Sequence, residues 1–113
     1  MIVKITGPDQ VDTKSAQLSK AAKTPIQWQN MTSVDYTWTC DACTSSNTSI
    51  LQDNQGNGIV GPLTVPAQGQ PIGPFFPSPY AQNSTYAYHV QPAGTQREPG
   101  GVGDDPPDMQ ISN

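Results

Sequence analysis

The apolar and polar positions alternate most clearly between Pro25 and Cys40, PIQWQNMTSVDYTWTC. Ile26, Trp28 and Asn30 alternate with Gln27 and Gln29. After a short polar turn, Val34, Tyr36, Trp38 and Cys40 alternate with Asp35, Thr37 and Thr39. In an extended chain every second side chain shares a face, so these runs predict two adjacent strands, each with one face in a core. Both tryptophans of the protein fall on those faces. Ser84 to Gln91, STYAYHVQ, repeats the pattern with Tyr86, Tyr88 and Val90.

The rest of the chain is patterned more weakly. Ile2 to Ile5 reads as a strand stopped by Gly7-Pro8, and Lys14 to Lys20 as a strand or short amphipathic turn carrying Ala16 and Leu18. Ala21 to Lys23 is the one place for a helical turn, closed by Pro25. Ile50-Leu51 predicts a short strand, followed by an Asp/Asn/Gly turn cluster from Asp53 to Gly58. Ile59 to Val65 is interrupted by Gly61-Pro62 and reads as an edge or bent strand. The prolines between Pro66 and Pro79 oppose regular ladder pairing. That stretch reads as an irregular strand or loop laying Ile72, Phe75 and Phe76 over the core. Pro92 to Pro107 is longer than an ordinary connection and so functional or mobile. Met109 and Ile111 mark a closing strand.

Composition agrees with a small all-β domain spanning residues 1–113. Apolar residues are 34% and charged residues 12%, while twelve prolines and ten glycines supply turns between short strands. The thin core this allows centres on Trp28, Trp38, Tyr36, Tyr86 and Tyr88. The net charge is −4, and the five basic residues are Lys4, Lys14, Lys20, Lys23 and Arg97, without aromatic interleaving. That is no footprint for nucleic acid or an anionic membrane. No apolar run is long enough to predict membrane insertion. The MIVKITGPDQ start lacks the charged lead, apolar stretch and cleavage site of a signal peptide. The expectation is a chain cytoplasmic as synthesised, or a trimmed mature form. Asn30, Asn47 and Asn83 stand in Asn-X-Ser/Thr triplets.

Several segments, in order, resemble the cupredoxins. IQWQN followed by SVDYTW resembles W-x-N-x-D-x-x-P-H-x-V. GPLTVPAQGQ resembles the turn that precedes the family's next strand. STYAYHV resembles G-x-Y-x-Y-x-C, and PDMQIS resembles the closing strand. The resemblance covers nearly the whole chain and implies a Greek-key β-sandwich. It places the family's first copper-binding histidine at Tyr36 and its cysteine at Val90. His89 falls one position before the cysteine place, on the opposite face, and no histidine follows. Met109, the candidate axial ligand, reads as a core residue of the last strand. A type 1 site needs two imidazoles and a thiolate, so the expectation is a cupredoxin-like fold without that copper and with no cofactor.

Cys40-Asp-Ala-Cys43 is the sharpest chemical feature, and it admits a zinc half-site, a redox pair, a disulfide or plain thiols. The β-rich context favours a structural pair. His89 has no partner visible in the sequence. Asp104, Asp105 and Asp108 read as a solvated acidic loop rather than a calcium site. Phe75, Phe76 and Tyr80 form either a surface for a sugar or protein partner, or a lid on the core. No nucleophile–base–acid set can be drawn, so no enzyme is expected. The expected function is a non-catalytic binding or structural module acting through loops or sheet edges, toward a protein partner or by self-association. A metal or redox accessory protein using Cys40 and Cys43 is the second reading. A small carbohydrate-binding sandwich is the third.

Overall fold

The computed structural model describes residues 1–40, 43–45, 48–59, 61–94 and 106–113. Among them the regular structure is all strand: β1 (Ile2–Gly7), β2 (Gln10–Val11), β3 (Ser15–Ser19), β4 (Ile26–Asn30), β5 (Tyr36–Thr39), β6 (Thr44–Ser45) and β7 (Thr48–Ser49) in the first half. The second half adds β8 (Leu51–Gln52), β9 (Gly58–Ile59), β10 (Leu63–Val65), β11 (Ile72–Pro77), β12 (Ser84–Ala87), β13 (His89–Pro92) and β14 (Asp108–Ser112).

One layer runs β2-β1-β4-β11-β8-β9. The other consists of β10-β5-β13 and β12-β14-β3, joined because β12 and β13 are one chain run broken only at Tyr88. A small β6–β7 ribbon joins neither ladder but is tied to the first layer through Ser49 Oγ, which donates to the carbonyls of Leu51 and Ile59. The layers face each other as a sandwich, and Val3, Ile5, Ala16, Leu18, Ile26, Trp28, Trp38, Leu51, Tyr88, Val90 and Met109 fill the space between. Each buried aromatic removes roughly 150–250 Å² from water, on the order of 4–6 kcal/mol before entropy is charged against it.

The two tryptophan strands are not neighbours in one sheet. β4 belongs to the first layer, between β1 and β11, whereas β5 lies in the second, between β10 and β13. Alternation assigns each strand a buried face but says nothing about which sheet receives it. Pairing is also mixed: β1 runs parallel to β4, and β14 parallel to β3, so the sandwich is not wholly antiparallel. β3 separates β1 from β4 in sequence and lies in the opposite layer, which supplies the crossover a parallel pair needs.

Val34 is half exposed and precedes β5, because the buried Asn30 closes a tight turn there. Asn30 Nδ2 donates to the carbonyls of Val34 (2.7 Å) and Val65 (3.0 Å). Its Oδ1 accepts from Thr32 N (2.8 Å) and Thr32 Oγ1 (2.7 Å). All four hydrogen-bonding positions of the amide are thereby used.

Lys14 to Lys20 yields the strand β3, and Ala21 to Lys23 is a turn rather than helix. The proline-rich stretch forms β11, an interior strand between β4 and β8. Its ladder shifts register between Ile72, opposite Trp28, and Phe75, opposite Ile26. Gly73-Pro74 occupies that bulge, where a residue without an N–H interrupts no regular pair. The segment from Ile59 to Val65 divides, with β9 in the first layer and β10 in the second. At the crossing, a side chain on Gly61 (φ 29°) would meet the Trp38 carbonyl at 3.2 Å and its ring at 3.3 Å.

Candidate functional site

A groove of about 420 Å³ opens where three turns meet. Lys20 and Lys23 come from the β3–β4 turn. Gln52, Asp53, Asn54 and Gly56 come from β8 and the turn after it, and Phe76, Pro77 and Pro79 from the end of β11. Alternation along β11 sorts its side chains. Phe75 and Pro77 are buried, with Phe75 against Trp28 at 6.0 Å between ring centroids, while Phe76 is half-buried and pairs with Gln52. Phe75 is therefore a core residue and is closed to a partner. Phe76 alone of the pair lines the groove.

Each rim is held by local hydrogen bonds. In the first turn Ser19 N donates to Thr24 Oγ1 (3.0 Å), Ala22 N to Ser19 Oγ (3.1 Å) and Thr24 N to the Ser19 carbonyl (3.2 Å). These bonds hold Lys23 in the left-handed region at φ 51°, a conformation a side chain rarely adopts unsupported. In the second, Asp53 Oδ1 accepts from Gln55 N (2.8 Å) and Asn57 N (2.9 Å). The backbone N–H groups of Asn57 and then Gln55 hold the Asp53 carboxyl below its ordinary range. In the third, the buried Ser78 is anchored by its N–H to the Ile50 carbonyl (2.8 Å) and accepts Tyr80 N at its Oγ (3.2 Å). Tyr80, just beyond Pro79, is thrown outward and is 83% exposed. Lys20 Nζ donates to the Ala81 carbonyl at 2.7 Å, tying the first rim to the third.

The places assigned to copper ligands by the cupredoxin resemblance lie elsewhere, on neighbouring strands of the second layer. Tyr36 stands opposite Pro92, and Val90 opposite Trp38. Tyr36 and Val90 are buried, and burial raises the Tyr36 phenol above its ordinary pKa. Met109 is wholly buried on β14. His89 turns to the other side of β13, where Nδ1 lies 3.1 Å from Asp9 Oδ2. Asp9 N donates to the Val90 carbonyl (2.8 Å), and Asp9 Oδ1 accepts Val90 N (2.9 Å). This clasp joins the β1–β2 turn to the opposite layer.

Cys40 and Cys43 form a disulfide, with Cα atoms 5.3 Å apart, and Cys43 is buried. Cys40 Sγ lies 3.3 Å from the Ala87 carbonyl, a contact rather than a donated bond because a disulfide sulfur carries no hydrogen. Among the described residues, no three His, Cys, Asp or Glu side chains gather as a metal-binding group. Asp108 begins β14, while Asp104, Asp105 and most of the Pro92–Pro107 connection lie outside the described residues, as do Arg97 and Asn47. Asn30 is fully buried with its amide in use, so only Asn83 of the described triplets is exposed. Among the described residues no helix is long and apolar enough to cross a membrane.

Of the residues singled out in the sequence, Phe76 lines the groove and Tyr80 stands beyond it, whereas Lys20, Lys23, Gln52 and Asn54 carried no expectation. The turn cluster after Gln52 and the lysines on either side of Ala21-Ala22 were visible. Their convergence depends on β3 and β8 both lying close to β11. Asp9 was missed as well, though Gly7-Pro8-Asp9 signals a turn. No protein-family model, curated protein or solved structure matches this chain.

Proposed function

We propose that the protein is a non-catalytic binding module built on a cupredoxin-like Greek-key sandwich without type 1 copper. The observation that carries this reading is the groove between three braced turns, with half-buried Phe76 in its wall and Tyr80 beyond it. Its volume lies in the ordinary range of small-ligand sites, roughly 300–1,000 Å³. It combines flat apolar rings, two side-chain amides and two cations, which suits recognition more than bond-making. Asn30, the asparagine of the segment that resembles W-x-N-x-D, closes the turn between β4 and β5, which supports the cupredoxin-like reading. A phenol at Tyr36 and an isopropyl group at Val90 supply neither imidazole nor thiolate.

The test is a glycan and peptide array probed with the wild-type protein, Phe76→Ala and Tyr80→Ala, run beside a Cu(II) titration followed by absorption. The reading expects ligands whose signal falls in both variants, and no thiolate-to-copper charge-transfer band. Array signals indifferent to both substitutions, or a charge-transfer band at stoichiometric copper, would overturn it.

A further inference from the structure

We propose that the groove takes an acidic saccharide, with Lys20 and Lys23 holding a uronate-type carboxylate while Phe76 and Pro79 support the sugar ring. This deepens the binding-module reading and rests on it. Charge supplies the first argument. The chain carries a net charge of −4 with five basic residues, yet two of those five line this one groove. The single acidic residue among the lining residues, Asp53, turns its carboxylate to the backbone of its own turn and stays ionised there, so the two lysines leave the lining with one positive charge in excess. Among the described residues neither lysine has a carboxylate within ion-pair distance. Lys20 Nζ is positioned by a neutral carbonyl, that of Ala81, which leaves it two further N–H groups and an uncompensated charge.

The other lining groups choose among anions. Half-buried Phe76 and the exposed Pro79 present an apolar wall, which the C–H face of a pyranose can cover. Gln52 and Asn54 each offer a carbonyl and an NH2, the pairing that answers sugar hydroxyls, which both donate and accept. A bare phosphate would leave the apolar wall and both amides unused. A neutral sugar would leave the excess positive charge of the lining unanswered. Stiffness adds to the case. The hydrogen-bonded turn that fixes Lys23 at φ 51° reduces the ordering cost at binding.

Calorimetric titration of the intact protein with trigalacturonate, its methyl ester and inorganic phosphate tests this. The acid should bind, the ester should bind about tenfold more weakly or worse, and phosphate should not compete, because only the acid form makes charge-assisted bonds while also covering the ring wall. Lys23→Gln, at an exposed position, should weaken the acid and leave the ester unchanged, and Phe76→Ala should weaken both. Lys4→Gln, on β1 and outside the groove lining, should change neither. Equal affinity for acid and ester would overturn the charge assignment. If that shared binding were still lost in Phe76→Ala, the binding-module reading would stand. Competition by phosphate, or an equal loss in Lys4→Gln, would reduce the groove to diffuse anion attraction and overturn the proposal. Absence of binding by the acid would overturn it outright.

Discussion

Trp28 and Trp38 meet across the two layers, their ring centroids 5.1 Å apart and their planes at 50°. Tyr88 closes the cluster, edge-on to Trp28 at 5.4 Å and stacked with Trp38 at 6.0 Å. Each ring belongs to a different strand run, so these contacts fix the sheets face to face. Replacing either tryptophan by phenylalanine loses the tilted contact as well as volume. A double-mutant cycle of Trp28→Phe and Trp38→Phe should give a coupling of about 1 kcal/mol in urea unfolding. Additive losses would contradict direct contact between the two rings.

Tyr88 carries a second consequence. Among the described residues its buried hydroxyl has no hydrogen-bond partner, nor do Trp28 Nε1 and Trp38 Nε1. Burial pushes the Tyr88 phenol well above its ordinary pKa. The Trp28 indole offsets a little of that rise without reaching hydrogen-bond geometry. Tyr88→Phe removes an unsatisfied group while keeping the ring. It should leave stability at neutral pH unchanged or raise it by about 1 kcal/mol. With the folded pKa above the unfolded one, the contribution of Tyr88 to stability is constant below about 10 and is lost as pH rises beyond it, because only the unfolded chain then releases the proton. Urea midpoints at neutral and strongly alkaline pH should show a shallower alkaline loss in Tyr88→Phe. Tyr36, also raised by burial, accounts for part of what remains.

Asn30 is the polar residue on which the β4–β5 turn closes. Asn30→Ala removes the buried donor to the Val65 carbonyl and the acceptor of Thr32 N, leaving the Val34 carbonyl to Thr32 Oγ1 alone, and should cost roughly 3 kcal/mol in chemical denaturation. Asn30→Asp should also destabilise, since an ionised carboxylate cannot donate to those carbonyls. Wild-type stability in Asn30→Asp would show that the donated bonds do not matter.

The Asp9 clasp makes a separable claim. Asp9→Ala leaves Val90 N without its side-chain acceptor and should cost about 1–3 kcal/mol. Hydrogen exchange at the Val90 amide should accelerate more than at amides of β1. Removing the imidazole alone, in His89→Gln, spares the Val90 N–H bond and should cost less. Equal losses in the two variants would place the contribution in the contact between the imidazole and the Asp9 carboxylate instead.

Side-chain alternation made the strands legible wherever it was strong. Trp28, Trp38, Tyr86, Tyr88 and Val90 are all buried as their period of two requires. It failed at Val34, because one buried amide three positions after Gln27 bends the chain before β5 begins. It could not assign β4 and β5 to different layers, nor admit a proline-rich strand to a sheet interior, because pairing depends on partners remote in sequence. The candidate site was half legible for the same reason. Tyr80 and Phe76 are conspicuous as aromatics, but the lysines that share the groove with Phe76 lie more than fifty residues away in the chain. The alternatives for Phe75 were separated only by the register of β11 against β4.

The most direct test of the central claim is a two-dimensional amide NMR spectrum of the labelled protein, recorded with and without the ligands the array selects. The account predicts shifts concentrated at Gln52, Asn54, Phe76 and Tyr80, with the ligand recovered chemically unchanged. Shifts centred on Tyr36 and Val90 instead, or conversion of the ligand to product, would contradict a non-catalytic module that binds through this groove.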